Sequence, residues 1–462
     1  MSLAQSAEET KAVIAEIGRA IDEAALTPFQ ILVLTLIGLT IVLDGFDAQA
    51  VGLAAPLLMS EFNLTKLQLA PIFAVGLVGM TLGAALGGMV GDKWGRKTAL
   101  IASAFIFGSL TLAMAVPAPF PVLLALRFLA GFGLGGALPN ATALTGEFSP
   151  ARYRSFAISI SILCIPLGGI LGGTIATTLL PMGGWRALFI AAGALPLFIA
   201  GILYIFLPES PKFLAIKHGR GPALEKIISR LKITVGVSGA GLDRGNAAAG
   251  QDDSPGFFSP VIFKKDSYAL WGSFFFCLLA VYLGYNWLPA MLTGAGFSPQ
   301  VASVGLISFN MGGVIGALIG AALLARFGSK ILGVIALAGA IGAVIPLVHP
   351  LTPAWSSSSL MFYLGFEGGC TSGLQVVLYA LAAHLYPTEA RARGVGSASG
   401  LGRVGAIVST YVGAAALSEL ADKGFFIVVV GCLIATSVAI YIVGNHIPGR
   451  QTSGPALKPE LS

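Results

Sequence analysis

The sequence predicts an all-α membrane protein whose twelve spanning helices divide into two pseudo-symmetric six-helix bundles. Three observations predict it. Only 10% of the 462 residues are charged and 56% are hydrophobic, whereas an ordinary soluble domain is about 25% charged; the mean hydropathy is +0.87. Apolar runs of spanning length recur along the chain without strand-like alternation, which argues against a barrel. One long polar connection, from Pro208 to Lys265, parts these runs into six and six. Charge this sparse cannot cover a water-facing surface of this size. A soluble enzyme, a disordered chain and a disulfide-stapled scaffold are thereby excluded.

In chain order, residues 1–27 come first. They mix Glu8, Glu9, Lys11, Glu16, Arg19, Asp22 and Glu23 with apolar positions. They lack the basic start, apolar core and small-residue cleavage site of a signal peptide. They read as a cytoplasmic amphipathic helix, with the first span as an uncleaved insertion signal. A span needs about 20 mostly apolar residues. The N-terminal bundle, 28–207, supplies such runs near 28–52, 67–91, 98–117, 121–145, 155–180 and 185–207. Glycine and proline within them are tolerated in lipid. The connection 208–265 contains a Gly-, Ser- and Ala-rich stretch, Val237 to Pro255, that reads as flexible linker. The C-terminal bundle, 266–446, follows with runs near 269–292, 300–325, 331–350, 358–384, 394–418 and 424–445, and 447–462 form a tail.

Basic residues set the orientation. Lys93, Arg96, Lys97, Arg152, Arg154, Arg326, Lys330, Arg391 and Arg393 fall in short loops on one side, together with the basic linker and both termini. The opposite loops hold Lys66, Arg186 and Lys423. This asymmetry puts both termini in the cytoplasm, and it accounts for the net charge of +6 without nucleic acid. Cys164, Cys277, Cys370 and Cys432 each sit alone in an apolar run and read as small buried hydrophobes. His218, His349, His384 and His446 are scattered singly near span ends. No metal cluster, catalytic triad or Gly-x-x-x-x-Gly-Lys phosphate loop is present, so neither a cofactor nor ATP is expected and an enzyme is not.

The two halves echo each other in their loops. Gly91-Asp92-Lys93-Trp94-Gly95-Arg96-Lys97 follows the second span, and Ala325-Arg326-Phe327-Gly328-Ser329-Lys330 follows the eighth as a degraded copy. Ser149-Pro150-Ala151-Arg152-Tyr153-Arg154 follows the fourth, and Tyr386-Pro387-Thr388-Glu389-Ala390-Arg391-Ala392-Arg393 follows the tenth. Two such pairs in register point to parallel repeats of six helices, the plan of a rocker-type transporter.

Gly88 to Lys97 resembles the loop signature of the major facilitator superfamily, and Leu207-Pro208-Glu209-Ser210 the motif that closes span six in its sugar- and organic-acid-carrying members. Asp44-Gly45-Phe46-Asp47 resembles the Asp-Gly-x-Asp motif of the aromatic acid:proton symporter family. So do the block from Arg127 through Gly131, Gly133, Gly135, Pro139 and Asn140 to Glu147, Trp287-Leu288-Pro289, and the run from Leu378 through Tyr386-Pro387-Thr388 to Arg403. The chain departs from the pattern after span eight. Ala325 stands where an acid is expected, and Ser329 is the only echo of Arg96.

Ionisable residues inside spans cost about 2.5–3.5 kcal/mol each, so each needs a reason. Asp44 and Asp47 share one face of span one and resist double ionisation, so one can exchange a proton near neutral pH. The resemblance implies proton coupling for this pair, with Asp44 the deeper. Arg127 in span four is expected about 9–12 Å from the outer boundary, level with Asp44. There it pairs with an aspartate or forks onto a substrate carboxylate. Arg403 in span eleven is a second candidate for that carboxylate. Glu367 in span ten has three open readings: pairing with Arg403, lining the substrate cavity, or local satisfaction. Tyr282, Tyr285, Asn286 and Trp287 offer stacking and hydroxyl recognition, with Asn310 and Gln375 as further polar partners, although ordinary packing or interface anchoring accounts for each of them taken singly. Asp92, Arg96, Glu147, Arg152, Arg391 and Arg393 are expected to form a cytoplasmic charge network that latches the outward-open state.

These readings converge on proton-coupled uptake of an aromatic carboxylate, of the benzoate, hydroxybenzoate, protocatechuate or lignin-derived kind, by alternating access across a bacterial inner membrane. The partners are the acid, protons and lipid, and a monomer contains a complete pathway. Rival readings are another organic anion such as nicotinate or quinate, a polyol, an exporter, or a non-transporting receptor.

Overall fold

The computed structural model describes residues 3–449 apart from 220, 234–263 and 387–389; side chains are described from residue 13 onward, except at 155, 218, 264, 391 and 392. The expected flexible stretch Val237 to Pro255, the Pro387-Thr388 turn and the tail beyond 449 lie outside the described residues. The chain divides into two compact units, Met1–Leu57 with Pro71–Gly256, and Leu58–Ala70 with Phe257–Ser462.

In the first half of the chain the helices are α1 (Leu3–Glu23), α2 (Pro28–Phe62), α3 (Lys66–Trp94), α4 (Arg96–Met114), α5 (Phe120–Gly135), α6 (Ala137–Phe148), α7 (Ala151–Phe206), α8 (Pro211–His218) and α9 (Pro222–Leu231). The second half contributes α10 (Lys264–Gly294), α11 (Pro299–Phe327), α12 (Ile331–Val348), α13 (Ser357–Leu385), α14 (Arg391–Glu419) and α15 (Ala421–Ile442). Among the described residues, extended pairing is confined to one bridge between Gly328 and Pro448.

Among the described residues, ten helices are long and apolar enough to cross a membrane. One of them, α7, has 56 residues and contains the fifth and sixth expected spans, folded apart at Gly184, whose φ of +63° suits glycine. The fourth span is α5 followed by α6. The tenth is α13, 29 residues long and diluted in apolarity by its serines, glycines and Glu367. Twelve spans result, as the sequence predicts.

Two features differ from the sequence reading. Helix α2 runs to Phe62 rather than ending near 52. Residues 53–59 are apolar and continue the helix, because the thickness of a bilayer does not terminate a helix; Asn63 does so, left-handed at φ +51°, with the Leu64 amide donating back to the Met59 carbonyl at 3.0 Å. There the Thr65 amide donates to Gln68 Oε1 at 2.9 Å and the Gln68 amide to Thr65 Oγ1 at 3.3 Å, opening α3. The polar connection also begins with α8 and α9, each with proline in its first turn. Both are too short to show a spanning signal.

Helices meet through glycine seams. A Cβ on Gly79 or Gly83 of α3 would lie 2.2 and 1.9 Å from the Phe128 and Phe132 carbonyl oxygens of α5. A Cβ on Gly312 or Gly316 of α11 would lie 1.7 and 2.3 Å from the Gly365 and Gly369 carbonyls of α13. Second span against fourth and eighth against tenth are thus built alike. The first and fifth spans meet at Gly45 and Gly168, and the seventh and eleventh at Gly405, which lies against the Phe275 carbonyl. Without a hydrophobic drive between helices in lipid, such close backbone approach is what association depends on. The repeat seen in the loops therefore continues inside the bundles.

Candidate functional site

Three helices of the first unit converge on one buried ion pair. Asp47 of α2 is fully buried, and Arg127 of α5 is 6% exposed. Arg127 Nη1 donates to Asp47 Oδ2 at 2.7 Å, and Nη2 to the Asp47 carbonyl at 3.2 Å. Thr111 of α4 donates its hydroxyl to Asp47 Oδ1 at 2.6 Å. The guanidinium fits because position 76 has no side chain: a Cβ on Gly76 would lie 2.8 Å from Arg127 Nε. The Arg127 Nε itself has no hydrogen-bond partner. Asp44, one turn before Asp47, is also buried.

Gly45 explains the glycine of the Asp-Gly-x-Asp motif. A Cβ there would lie 2.1 Å from the Ile165 carbonyl of α7. The glycine lets α7 press directly on the turn that carries both aspartates. The arginine thus takes Asp47 as its partner. The depth reading placed Asp44 level with Arg127 by measuring from residue 52, and the added turns of α2 remove that reference point. Thr111 went unremarked in the sequence, since a hydroxyl in an apolar run carries no signal of its own.

The second unit holds the remaining substrate candidates. The rings of Tyr282 and Tyr285 meet edge-on at 5.6 Å, and Tyr285 meets Phe309 at 6.1 Å. Trp287 is fully buried and donates its indole N–H to the Thr410 carbonyl of α14 at 3.1 Å. It ties α10 to α14 and offers no exposed ring face for stacking. Asn310 is buried and donates to the Leu306 carbonyl of its own helix at 2.9 Å. Asn286 is buried with Nδ2 unpartnered, and Gln375 and Arg403 are half-buried. Arg403 lies within electrostatic reach of Tyr379. Neither carboxyl oxygen of Glu367 has a hydrogen-bond partner, which removes both the pairing with Arg403 and the local satisfaction considered for it.

At the basic loops the expected network is partly assembled. Asp92 and Arg96 pair across the turn between α3 and α4. Glu147, at the end of α6, accepts from the Ser210 hydroxyl and lies within electrostatic reach of Lys212 and Arg96. Arg152 is exposed, with its guanidinium over the Tyr153 ring, and makes no ion pair among the described residues. Arg391 opens α14, and its side chain lies outside the described residues; Arg393, two residues on, is half-buried.

The sequence reading missed two members of this network. Glu209 accepts from the Lys97 amide at 3.0 Å, capping α4 from a distant part of the chain. Its carboxylate occupies the space a side chain at Gly95 would need. The signal in the sequence is the Pro208-Glu209-Ser210 motif itself, whose carboxylate is free to cap a helix end. Arg154 pairs with Asp22 and donates to the Gly146 carbonyl at 2.9 Å, fastening α1 under the bundle.

The degraded loop after span eight is held differently. The Ser329 hydroxyl bonds His446 Nδ1 at 2.9 Å and accepts from the Ile447 amide at 2.8 Å. Asp266 accepts from the Gly444 and Asn445 amides at 2.8 and 3.1 Å. Partial burial and the nearby Lys330 lower the basicity of His446, with Asp266 opposing them. Ser329 is therefore a fastening point for the segment after α15.

The major facilitator superfamily model matches residues 37–410. The chain belongs to that superfamily. It is 33% identical over 430 residues to the 4-hydroxybenzoate transporter PcaK of Acinetobacter baylyi, covering 91% of this chain and 93% of the relative. It is 34% identical to the gallate transporter of Pseudomonas putida, covering 92% and 94%. These relatives place it in the aromatic-acid branch of the superfamily, so it is a multi-pass membrane transporter rather than an enzyme. The crystal structure of a D-xylose-proton symporter shares the fold, with a TM-score of 0.68 at 16% identity, covering 89% of this chain and 97% of that one.

Proposed function

We propose that this protein imports an aromatic carboxylate together with protons, by alternating access. The observation that carries the reading is the buried Arg127–Asp47 pair, set one helical turn from a second buried acid, Asp44, on a chain whose relatives carry 4-hydroxybenzoate and gallate. A guanidinium out of water binds a carboxylate strongly and with directional preference. Protonating the aspartates weakens their hold on Arg127 and frees it for the substrate anion. Losing the protons on the far side restores the internal pair and expels the anion. Arg403 supplies a second cation for the carboxylate, with Tyr282, Asn286, Asn310 and Gln375 as contacts for ring substituents. The loop pairs Asp92–Arg96 and Glu147–Ser210 serve as the cytoplasmic latch. The basic loops support an inner-membrane location with both termini inside, and one chain suffices for the pathway.

The test is uptake of labelled 4-hydroxybenzoate into proteoliposomes under an inward proton gradient, with a protonophore control. Native protein should accumulate the acid, and both protonophore and Asp44→Asn should abolish accumulation. Full accumulation by Asp44→Asn would remove Asp44 from the coupling step. No accumulation across a panel of aromatic acids would overturn the import reading.

A further inference from the structure

Glu367 lies on α13, in the unit that does not contain the Arg127–Asp47 pair. It is 5% exposed, and both carboxyl oxygens lack a hydrogen-bond partner. One turn before it on the same face, the Tyr363 hydroxyl is also buried and unpartnered. One turn after it, Thr371 spends its hydroxyl on the Glu367 backbone carbonyl at 2.7 Å, not on the carboxylate.

The carboxyl borders a small cavity with room for about one water. Apart from Thr371 its walls are apolar: Gly284 and Leu288 from α10, Phe309 from α11, and Phe425, Phe426 and Val429 from α15. From α12, position 342 faces the carboxyl, and a Cβ there would lie 2.7 Å from Oε1. The titratable groups nearby are Tyr363 and Cys370 on the same helix. Behind them Cys277 of α10 donates its thiol to the Thr371 carbonyl at 3.8 Å. None is a cation, and no ion pair to Glu367 occurs among the described residues.

A carboxylate removed from water without a partner costs several kcal/mol. The neutral acid avoids that cost, and the cavity beside Glu367 has room for about one water to hydrate it. We propose that Glu367 is a proton-binding site of the second unit, occupied in this conformation, which gives up its proton only when the cavity is opened to bulk water. Used in the symport proposed above, it would deliver a proton from a site separate from the span-one aspartates. That use rests on the symport reading, whereas the proton binding does not.

Infrared difference spectroscopy on the purified full-length protein in lipid nanodiscs, titrated from acid to alkaline pH, tests the binding without any transport assay. The native protein should retain the carbonyl stretch of a protonated carboxylic acid at pH 7, where ordinary carboxylates are ionised. The band should vanish in Glu367→Gln and persist in Asp44→Asn. Absence of the band from native protein would overturn the proposal whatever the variants do, and so would a band that survives Glu367→Gln unchanged. Because the readout is spectroscopic, failed uptake in proteoliposomes would bear on the symport reading alone.

Discussion

Asp47 and Arg127 illustrate how one contact serves both structure and chemistry. Removing one member of a buried pair leaves an uncompensated charge and costs about 3–5 kcal/mol, whereas removing both is far milder. Asp47→Ala and Arg127→Ala should therefore each destabilise the protein markedly, while the double variant recovers much of the loss. Thermal unfolding of the four proteins in one detergent reads this coupling; additive losses would show that the pair does not act as a unit. The charges themselves were legible from sequence, since an ion inside an apolar run is conspicuous. Their pairing was not, because whether Arg127 meets Asp44 or Asp47 depends on how α2 and α5 pack against their neighbours. The pocket for the guanidinium was hidden too, being the absence of a side chain at Gly76. Trp287 shows the same limit: an aromatic ring in a cavity-lining span and one wedged between helices look the same in a one-dimensional pattern.

At the scale of elements, the existence and order of the spans were readable from hydropathy, and their ends were not. The last turns of α2, the merging of two spans in α7 and the helices α8 and α9 all follow from local capping and turn geometry rather than from apolarity. The seam between α2 and α7 gives the sharpest prediction. Gly45→Ala places a methyl group against the Ile165 carbonyl, a backbone atom that cannot rotate aside. The helices must separate, and overpacking of this kind costs about 1–3 kcal/mol. We expect Gly45→Ala to lower the melting temperature and to abolish 4-hydroxybenzoate uptake although both aspartates remain. Undiminished uptake would mean that the turn tolerates displacement. Alanine at Gly201, where an added Cβ would meet nothing within 4 Å, is the matched control and should be silent.

For the whole molecule, the distribution of basic residues predicts sidedness. The four native cysteines are free and buried, so a membrane-impermeant maleimide should give little background in intact spheroplasts. A cysteine replacing Lys423 should label from outside, and one replacing Arg326 should label only after lysis; the reverse pattern would invert the topology. The glycine seams also bear on the protein's history. An overlarge side chain in an ordinary core can be offset by a smaller one opposite. A seam whose opposing atom is a carbonyl oxygen offers no such partner, so compensating double mutants are unavailable along it. A saturation-mutagenesis map would then show its most intolerant positions as stripes of glycine down α3 and α11 and at Gly45 of α2. Divergence in substrate range is channelled toward the remaining faces of the helices, where neighbours can adjust.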